Sequence, residues 1–208
     1  MSVERDLAGK LLQIKAIKLS PQNPFTWASG WKSPIYCDNR TVLSYPEVRG
    51  YVIDQLREAS GRFSPFEVVG GVATAGIPHG ALLADRLGAP FLYVRSKPKG
   101  HGRQNQIEGV VRPGAKVLLI EDLISTGGSS LKAVEALRNA GCAVSGVLAL
   151  FTYGFSVAEE AFARAACPVM ALSNYDALLE EALQQGYIAE DQMEILRQWR
   201  AAPESWSA

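Results

Sequence analysis

Two histidines, three methionines and three cysteines are all that 208 residues contain of those types. The cysteines, Cys37, Cys142 and Cys167, are odd in number and lack the paired spacing of a zinc or redox motif. A reduced, cytoplasmic protein is therefore the expectation. An excess charge of either sign is missing too: 21 Lys and Arg balance 21 Asp and Glu. That balance gives no general attraction for nucleic acid or an anionic membrane, so any electropositive site must be local. No apolar run approaches the roughly 20 residues of a membrane-spanning helix, and no charged-then-apolar leader is present. Internal repeats and low-complexity tracts are also lacking. What is there suffices for one domain: 48% hydrophobic residues over a length that supports a single core with small additions.

Val3, Leu7, Leu11, Ile14 and Ile17 recur at helical spacing and predict an amphipathic helix over 3–18. Residues 19–41, rich in Pro, Gly and aromatics, read as an irregular or short-stranded cap, and a second helix is expected from Pro46 to about Ala59. The pattern then alternates, with strand 67–70, helix 77–87 and strand 91–94. After a polar, glycine-containing interruption over 96–109 come strand 116–121, helix 129–140 and strand 143–151. Strands alternating with helices predict an α/β fold, a mostly parallel sheet with helices on both faces. Ser173-Asn174-Tyr175-Asp176 suggests a capping box for a helix ending near Gly186, and a last helix over about 190–200 could cover the core or a partner. Three regions follow: an N-terminal helix and hood over 1–45, an α/β core over 46–172 with a flexible loop at 96–109, and a helical extension over 173–208.

The most informative stretch runs from Val117 to Ser129. Four apolar residues of a buried strand lead into Glu121-Asp122, then a loop of small and hydroxylated residues, then a helix. Ligands of open parallel sheets gather beyond the C-terminal strand ends, where this acidic pair falls. One carboxylate can accept hydrogen bonds from ribose hydroxyls, and the other can orient loop donors or hold water on Mg²⁺. Backbone N–H groups of Thr126, Gly127, Gly128 and Ser129, at the start of a helix, can hold a terminal phosphate, with the hydroxyls of Ser125, Thr126 and Ser129 as further donors. The glycines are not followed by Lys-Ser/Thr, which excludes a nucleoside-triphosphate P-loop, and Gly-x-Gly-x-x-Gly spacing is absent.

Between Arg95 and Arg112 five basic residues (Arg95, Lys97, Lys99, Arg103, Arg112) face one acid, Glu108. A solvated loop would explain the composition. Its place just before the phosphate-binding strand instead suits a mobile cationic segment that covers a diphosphate and lets product go. Phe25, Trp27, Trp31 and Tyr36, with Ser29, Lys32 and Ser33 between them, are either core or the wall of a slot for a flat ligand. Gly70-Gly71 reads as a strand-exit turn where absent side chains let backbone amides approach a diphosphate, making Thr74, Ala75 and Gly76 candidate contacts. His79, following Pro78, reads as a packing or helix-surface residue, and the two histidines do not make a metal site.

Residues 117–129 resemble the signature of the type I phosphoribosyltransferases, enzymes that use 5-phosphoribosyl 1-diphosphate (PRPP). Over about 3–200 the chain resembles the orotate branch of that family, through Phe25 to Tyr36, Gly70 to Pro78, and Tyr93 to Gly102. The resemblance implies a mostly parallel central sheet with a small N-terminal hood and a flexible active-site loop. It implies Mg²⁺-dependent transfer of the phosphoribosyl group from PRPP to N1 of orotate, with Mg²⁺ held mainly by PRPP and water. It further implies that Glu121, Asp122, Leu123, Ile124, Ser125 and the following loop bind PRPP, Ser125 also touching orotate, and that Ile35 and Tyr36 wall the base slot with Lys32 as anion partner. Arg95, Lys99 and His101 correspond to loop residues that reach the diphosphate in the neighbouring subunit of a homodimer, with Lys97 beside them. Lys99, His101 and Asp122 are the expected catalytic residues. Four departures stand out. Ala28, Ala75 and Ser96 occupy positions where some relatives have lysine, and Phe151-Thr152-Tyr153 stands where some have an arginine near the orotate carboxylate. The competing readings are a phosphoribosyltransferase for another purine or pyrimidine base, and a PRPP-sensing regulator without turnover.

Overall fold

A computed structural model, describing residues 2–27, 30–97 and 106–206, places six strands in one sheet among those residues. In chain order the elements begin with α1 (Val3–Gln13), β1 (Ile17–Leu19), β2 (Phe25–Thr26), β3 (Lys32–Ser33) and β4 (Ile35–Cys37). A 3-10 turn, Asn39–Ser44, leads to α2 (Pro46–Ser60), β5 (Val68–Val72), α3 (Gly76–Leu87), β6 (Phe91–Val94) and β7 (Ile107–Glu108). Then come β8 (Lys116–Ile124), α4 (Gly128–Asn139), β9 (Ala143–Thr152), α5 (Ser156–Arg164), β10 (Val169–Asn174), α6 (Tyr175–Gln184) and α7 (Glu190–Ala201).

The sheet runs β10-β9-β8-β5-β6-β7, parallel throughout except that β7 lies antiparallel on β6. Alternation along β8 and β9 divides the core. Leu118, Ile120, Leu148 and Leu150 face α1, α2, α3, α6 and α7, whereas Val117, Leu119, Val147 and Ala149 face α4 and α5. The hood is two small antiparallel pairs, β1 with β4 and β2 with β3.

The expected α/β architecture is found, with informative differences. α1 stops at Gln13, and Ile14 and Ile17 are buried by a turn and by β1 instead of by further helix. Apolar spacing reports burial, which a turn and a short strand supply equally well. β8 extends to Ile124, so the acidic pair lies within a paired strand. α5 and β10 lie beyond the elements expected from the sequence pattern; α5 is alanine-rich, and small residues mute helical periodicity. Asn174 caps α6 by accepting from the Ala177 N–H at 3.0 Å, but the reciprocal box is not formed: Ser173 donates to the Glu4 carbonyl and Asp176 meets Arg200. α7 buries Met193, Leu196 and Trp199, so it covers the core. The polar interruption ends at β7, and its residues 98–105 lie outside the described residues.

Gly70 and Gly71 are inside β5, not in a turn. A Cβ on Gly71 would sit 2.8 Å from the Ile77 Cα, and one on Gly76 would sit 2.4 Å from the Ile120 carbonyl oxygen. Gly71 and Gly76 let α3 lie directly on β5 and β8, and Gly70 leaves room for Leu119, Leu92 and Val117, so close packing accounts for all three. Gly76→Ala should therefore destabilise the fold by about 1–3 kcal/mol, read as a lower urea midpoint at unchanged m-value.

Candidate active site

β5 and β8 are neighbours, yet the chain leaves β5 into α3 on one face and β8 into α4 on the other. Such a switch point opens a crevice at the strand ends. The pleat of β8 gives its two acids different surroundings. Glu121, only 4% exposed, belongs to the α4 face: its Oε2 accepts from Ser130 Oγ at 2.9 Å and Ser129 Oγ at 3.2 Å, and its Oε1 from the Asp122 N–H at 3.1 Å. Asp122 is half-buried on the hood side, and its main-chain carbonyl accepts from Asn39 Nδ2 at 2.7 Å. Arg40, gripped by Asp38 at 2.6 Å, adds a positive charge near Asp122.

Burial, then the charge of Asp122, pushes the Glu121 carboxyl up to about 8. Burial raises Asp122 as well, opposed by its hydrogen bond with Glu121 and by the charge of Arg40.

Gly127, at φ +80°, turns the chain from Thr126 into α4, and a Cβ there would meet Phe162 at 2.9 Å. No side chain caps α4 and no acid occupies its first turn, so the first amides of the helix are left for an anion. Thr126, Gly128 and Ser129 are exposed and Ser125 is half-exposed. Leu123 is half-buried and Ile124 buried, the latter's carbonyl taking the Tyr153 N–H at 3.1 Å. These two anchor the strand end more than they offer side chains.

Thr74 is exposed and Ala75 half-buried in the link from β5 to α3, beside the same crest. Arg95, just past β6, lies 3.7 Å from Glu108; its N–H donates to the Gln106 carbonyl at 2.8 Å, and Gln106 Nε2 donates back to the Arg95 carbonyl at 2.6 Å. Those bonds hold together the two ends of the basic segment. Lys97 is exposed, while Lys99 and His101 lie outside the described residues, as does Ala28.

In the hood, strand alternation separates the expected wall residues. Ile35 is buried in the core, whereas Tyr36 is 39% exposed with Lys18 Nζ over its ring. Tyr36 is thus the one of the two that can face a ligand. Lys32 is exposed and donates to Thr26 Oγ1 at 2.9 Å. Trp27 belongs to an aromatic block, 5.4 Å from Tyr153 and 5.6 Å from Trp199 between ring centres, and donates from Nε1 to the Ile35 carbonyl. Sequence reasoning missed Asn39 and Ser130. Ser130 continues a hydroxyl run already singled out, but nothing local marks Asn39, whose partner is 83 residues away.

Among the described residues no group of three or more His, Cys, Asp or Glu could enclose a metal ion. The carboxylates of the crest suit a cation that arrives with its own oxygen ligands.

The raised carboxyl has a consequence for stability. A group whose folded pKa exceeds its unfolded value contributes stability that is present below the ordinary carboxylate range and lost as pH rises through the folded value, here about 8. The ligand-free protein should lose melting temperature as pH rises from about 4.5 to about 8 and level off above that, roughly 2–4 °C for each kcal/mol lost, and Glu121→Gln should flatten that slope. An equal slope in the variant would exclude Glu121 as its source.

The chain matches the phosphoribosyl transferase domain family over residues 46–172. It is 59% identical to the orotate phosphoribosyltransferase of Bacteroides thetaiotaomicron, covering 100% of this chain and 98% of the relative. Against that of Listeria monocytogenes it is 52% identical, covering 99% of each. Among solved structures, the orotate phosphoribosyltransferase of Aeropyrum pernix superimposes with a TM-score of 0.77 at 33% identity, covering 88% of this chain and 99% of that one. The chain belongs to the phosphoribosyltransferase family and, within it, to the orotate phosphoribosyltransferases.

Proposed function

We propose that the crest between β5 and β8 binds PRPP with its 5-phosphate on the open amides of α4 and its ribose hydroxyls against Asp122, and that orotate enters between Tyr36 and the sugar. The observation that carries this reading is the uncapped α4 N-terminus directly after the acidic pair. Phosphate and ribose need that order of donors and acceptors at that spacing.

Orotate N1 attacks C1 of PRPP from the face opposite the diphosphate, giving orotidine 5′-monophosphate with inverted configuration and diphosphate. C1 becomes oxocarbenium-like as the diphosphate leaves, and no covalent enzyme nucleophile is needed. Asp122, with Glu121 behind it, fixes the ribose and tolerates positive charge nearby. Glu121 holds the Ser129 and Ser130 hydroxyls, which couples the phosphate loop to the sheet. Arg95, Lys97, Lys99 and His101 stabilise the leaving diphosphate, with Thr74 and Ala75 beneath it. Lys32 is the candidate partner for the orotate carboxylate, and Ser125 lies on the same side. Mg²⁺ arriving with PRPP beside the crest carboxylates would supply further neutralisation of the leaving group. Positioning and exclusion of water do most of the work.

The basic segment acts in the active site of a second copy, so the catalytic unit is a homodimer sharing Arg95, Lys99 and His101 across its interface. Its location is the cytoplasm, in keeping with three free cysteines. Among the described residues no helix is long and apolar enough to cross a membrane.

A panel of purine and pyrimidine bases with PRPP and Mg²⁺ tests the reading. Diphosphate release should require orotate; preference for another base, or PRPP binding with no release, would overturn it in favour of another transferase or a sensor. Lys99→Ala should lower turnover about 10²-fold while leaving the melting temperature unchanged. Mixing Lys99→Ala with Asp122→Asn should restore part of the activity, and no restoration in verified heterodimers would exclude a shared site.

A further inference from the structure

His79 lies in the first turn of α3, fully buried, and among the described residues neither ring nitrogen makes a hydrogen bond. The reaction as derived makes no use of it. Buried polar groups without partners are costly enough that native chains seldom retain them, so the ring calls for an explanation.

Asn39, also fully buried, has half of its amide engaged. Nδ2 donates to the Asp122 carbonyl at 2.7 Å, and among the described residues Oδ1 has no partner. A carbonyl can only accept, so this bond fixes which end of the amide carries nitrogen. The two residues adjoin: the Asn39 main-chain carbonyl lies against the imidazole and favours its protonation. Desolvation outweighs that and pulls the ring down to about 4, leaving it neutral near pH 7 with one N–H and one bare nitrogen. With the N–H turned to the Asn39 main-chain carbonyl, two acceptors remain, the bare ring nitrogen and Asn39 Oδ1. Among the described residues neither is in a hydrogen bond. A water molecule brings two O–H donors, and buried waters are found between such groups.

We propose that one buried water bridges the His79 ring and Asn39 Oδ1, making His79 a positioning residue for Asp122. The bridge ties three separate pieces together: the start of α3, the turn after β4, and the end of β8. Gly76 already presses α3 onto the Ile120 carbonyl, so a polar tie one turn later fixes the remaining freedom of the Asn39 amide and of the carbonyl it holds. Losing it lets the Asp122 main chain shift relative to the phosphate loop without unpacking the helix. The inference rests on the reading that Asp122 contacts the ribose of PRPP.

His79→Leu removes both ring nitrogens and fills most of the space. It should raise KM for PRPP about 10-fold with KM for orotate unchanged, and His79→Gln, which keeps a donor and an acceptor, should recover most of the loss. A purely structural histidine predicts instead a change in melting temperature with both KM values held, and that result would overturn the role. Asp122→Asn measured alongside separates the two readings: if it retains wild-type kinetics, the ribose contact fails first and the role of His79 falls with it. Should His79→Leu not fold, the wild-type protein decides. A high-resolution crystal structure with a water within hydrogen-bond reach of both the ring and Asn39 Oδ1 supports the bridge, and a dry contact there removes it.

Discussion

The end of β8 has to hold two adjacent carboxyls in a crevice where solvent is scarce, and the neighbouring elements are arranged around that requirement. Strand pleating sends the acids toward different partners. Glu121 is met by Ser129 and Ser130 at the start of α4, and the Asp122 main chain by Asn39 of the hood. Burial raises both carboxyls, so the ligand-free site resists carrying two full negative charges. The acidic strand end is therefore held from both faces of the sheet before any ligand arrives. That is preorganisation of the kind that lets binding energy go into positioning.

Small residues make this possible at close quarters. Gly71 and Gly76 bring α3 onto β5 and β8, and Gly127 adopts the left-handed turn that aims the amides of α4 at the crest. On the hood side, Trp27, Tyr153 and Trp199 form a continuous aromatic block joining β2, the end of β9 and α7. Through the bond from Trp27 to the Ile35 carbonyl, the C-terminal helix thus supports the strand that carries Tyr36. The extension after the sheet supports the hood as well as the core.

How much could be read beforehand follows the range of the signal. Strands β5, β6, β8 and β9 and helices α2, α3 and α4 announce themselves through apolar runs and periodicity within a short window. The acidic pair and its loop could be recognised because their chemistry is contiguous. Ile35 and Tyr36 looked equivalent in sequence, and only the pairing of β4 with β1 showed that one enters the core while the other faces out. Gly70 and Gly71 looked like room for a ligand, whereas the space is filled by α3 and the side chains of Leu119, Leu92 and Phe91. His79 looked like an ordinary helix residue, because an unpaired buried ring is visible only once its surroundings are known.

The amino-acid order by itself determined the α/β class, the family and the chemistry of the crest, since local periodicity and one unbroken motif encode all three. Tertiary structure alone decided the division of labour between Glu121 and Asp122 and brought Asn39, 83 residues distant, onto the Asp122 carbonyl. It also set the contact between the hood and α7. These depend on which faces of separate elements meet, and a chain's linear pattern records that each face is buried without recording against what.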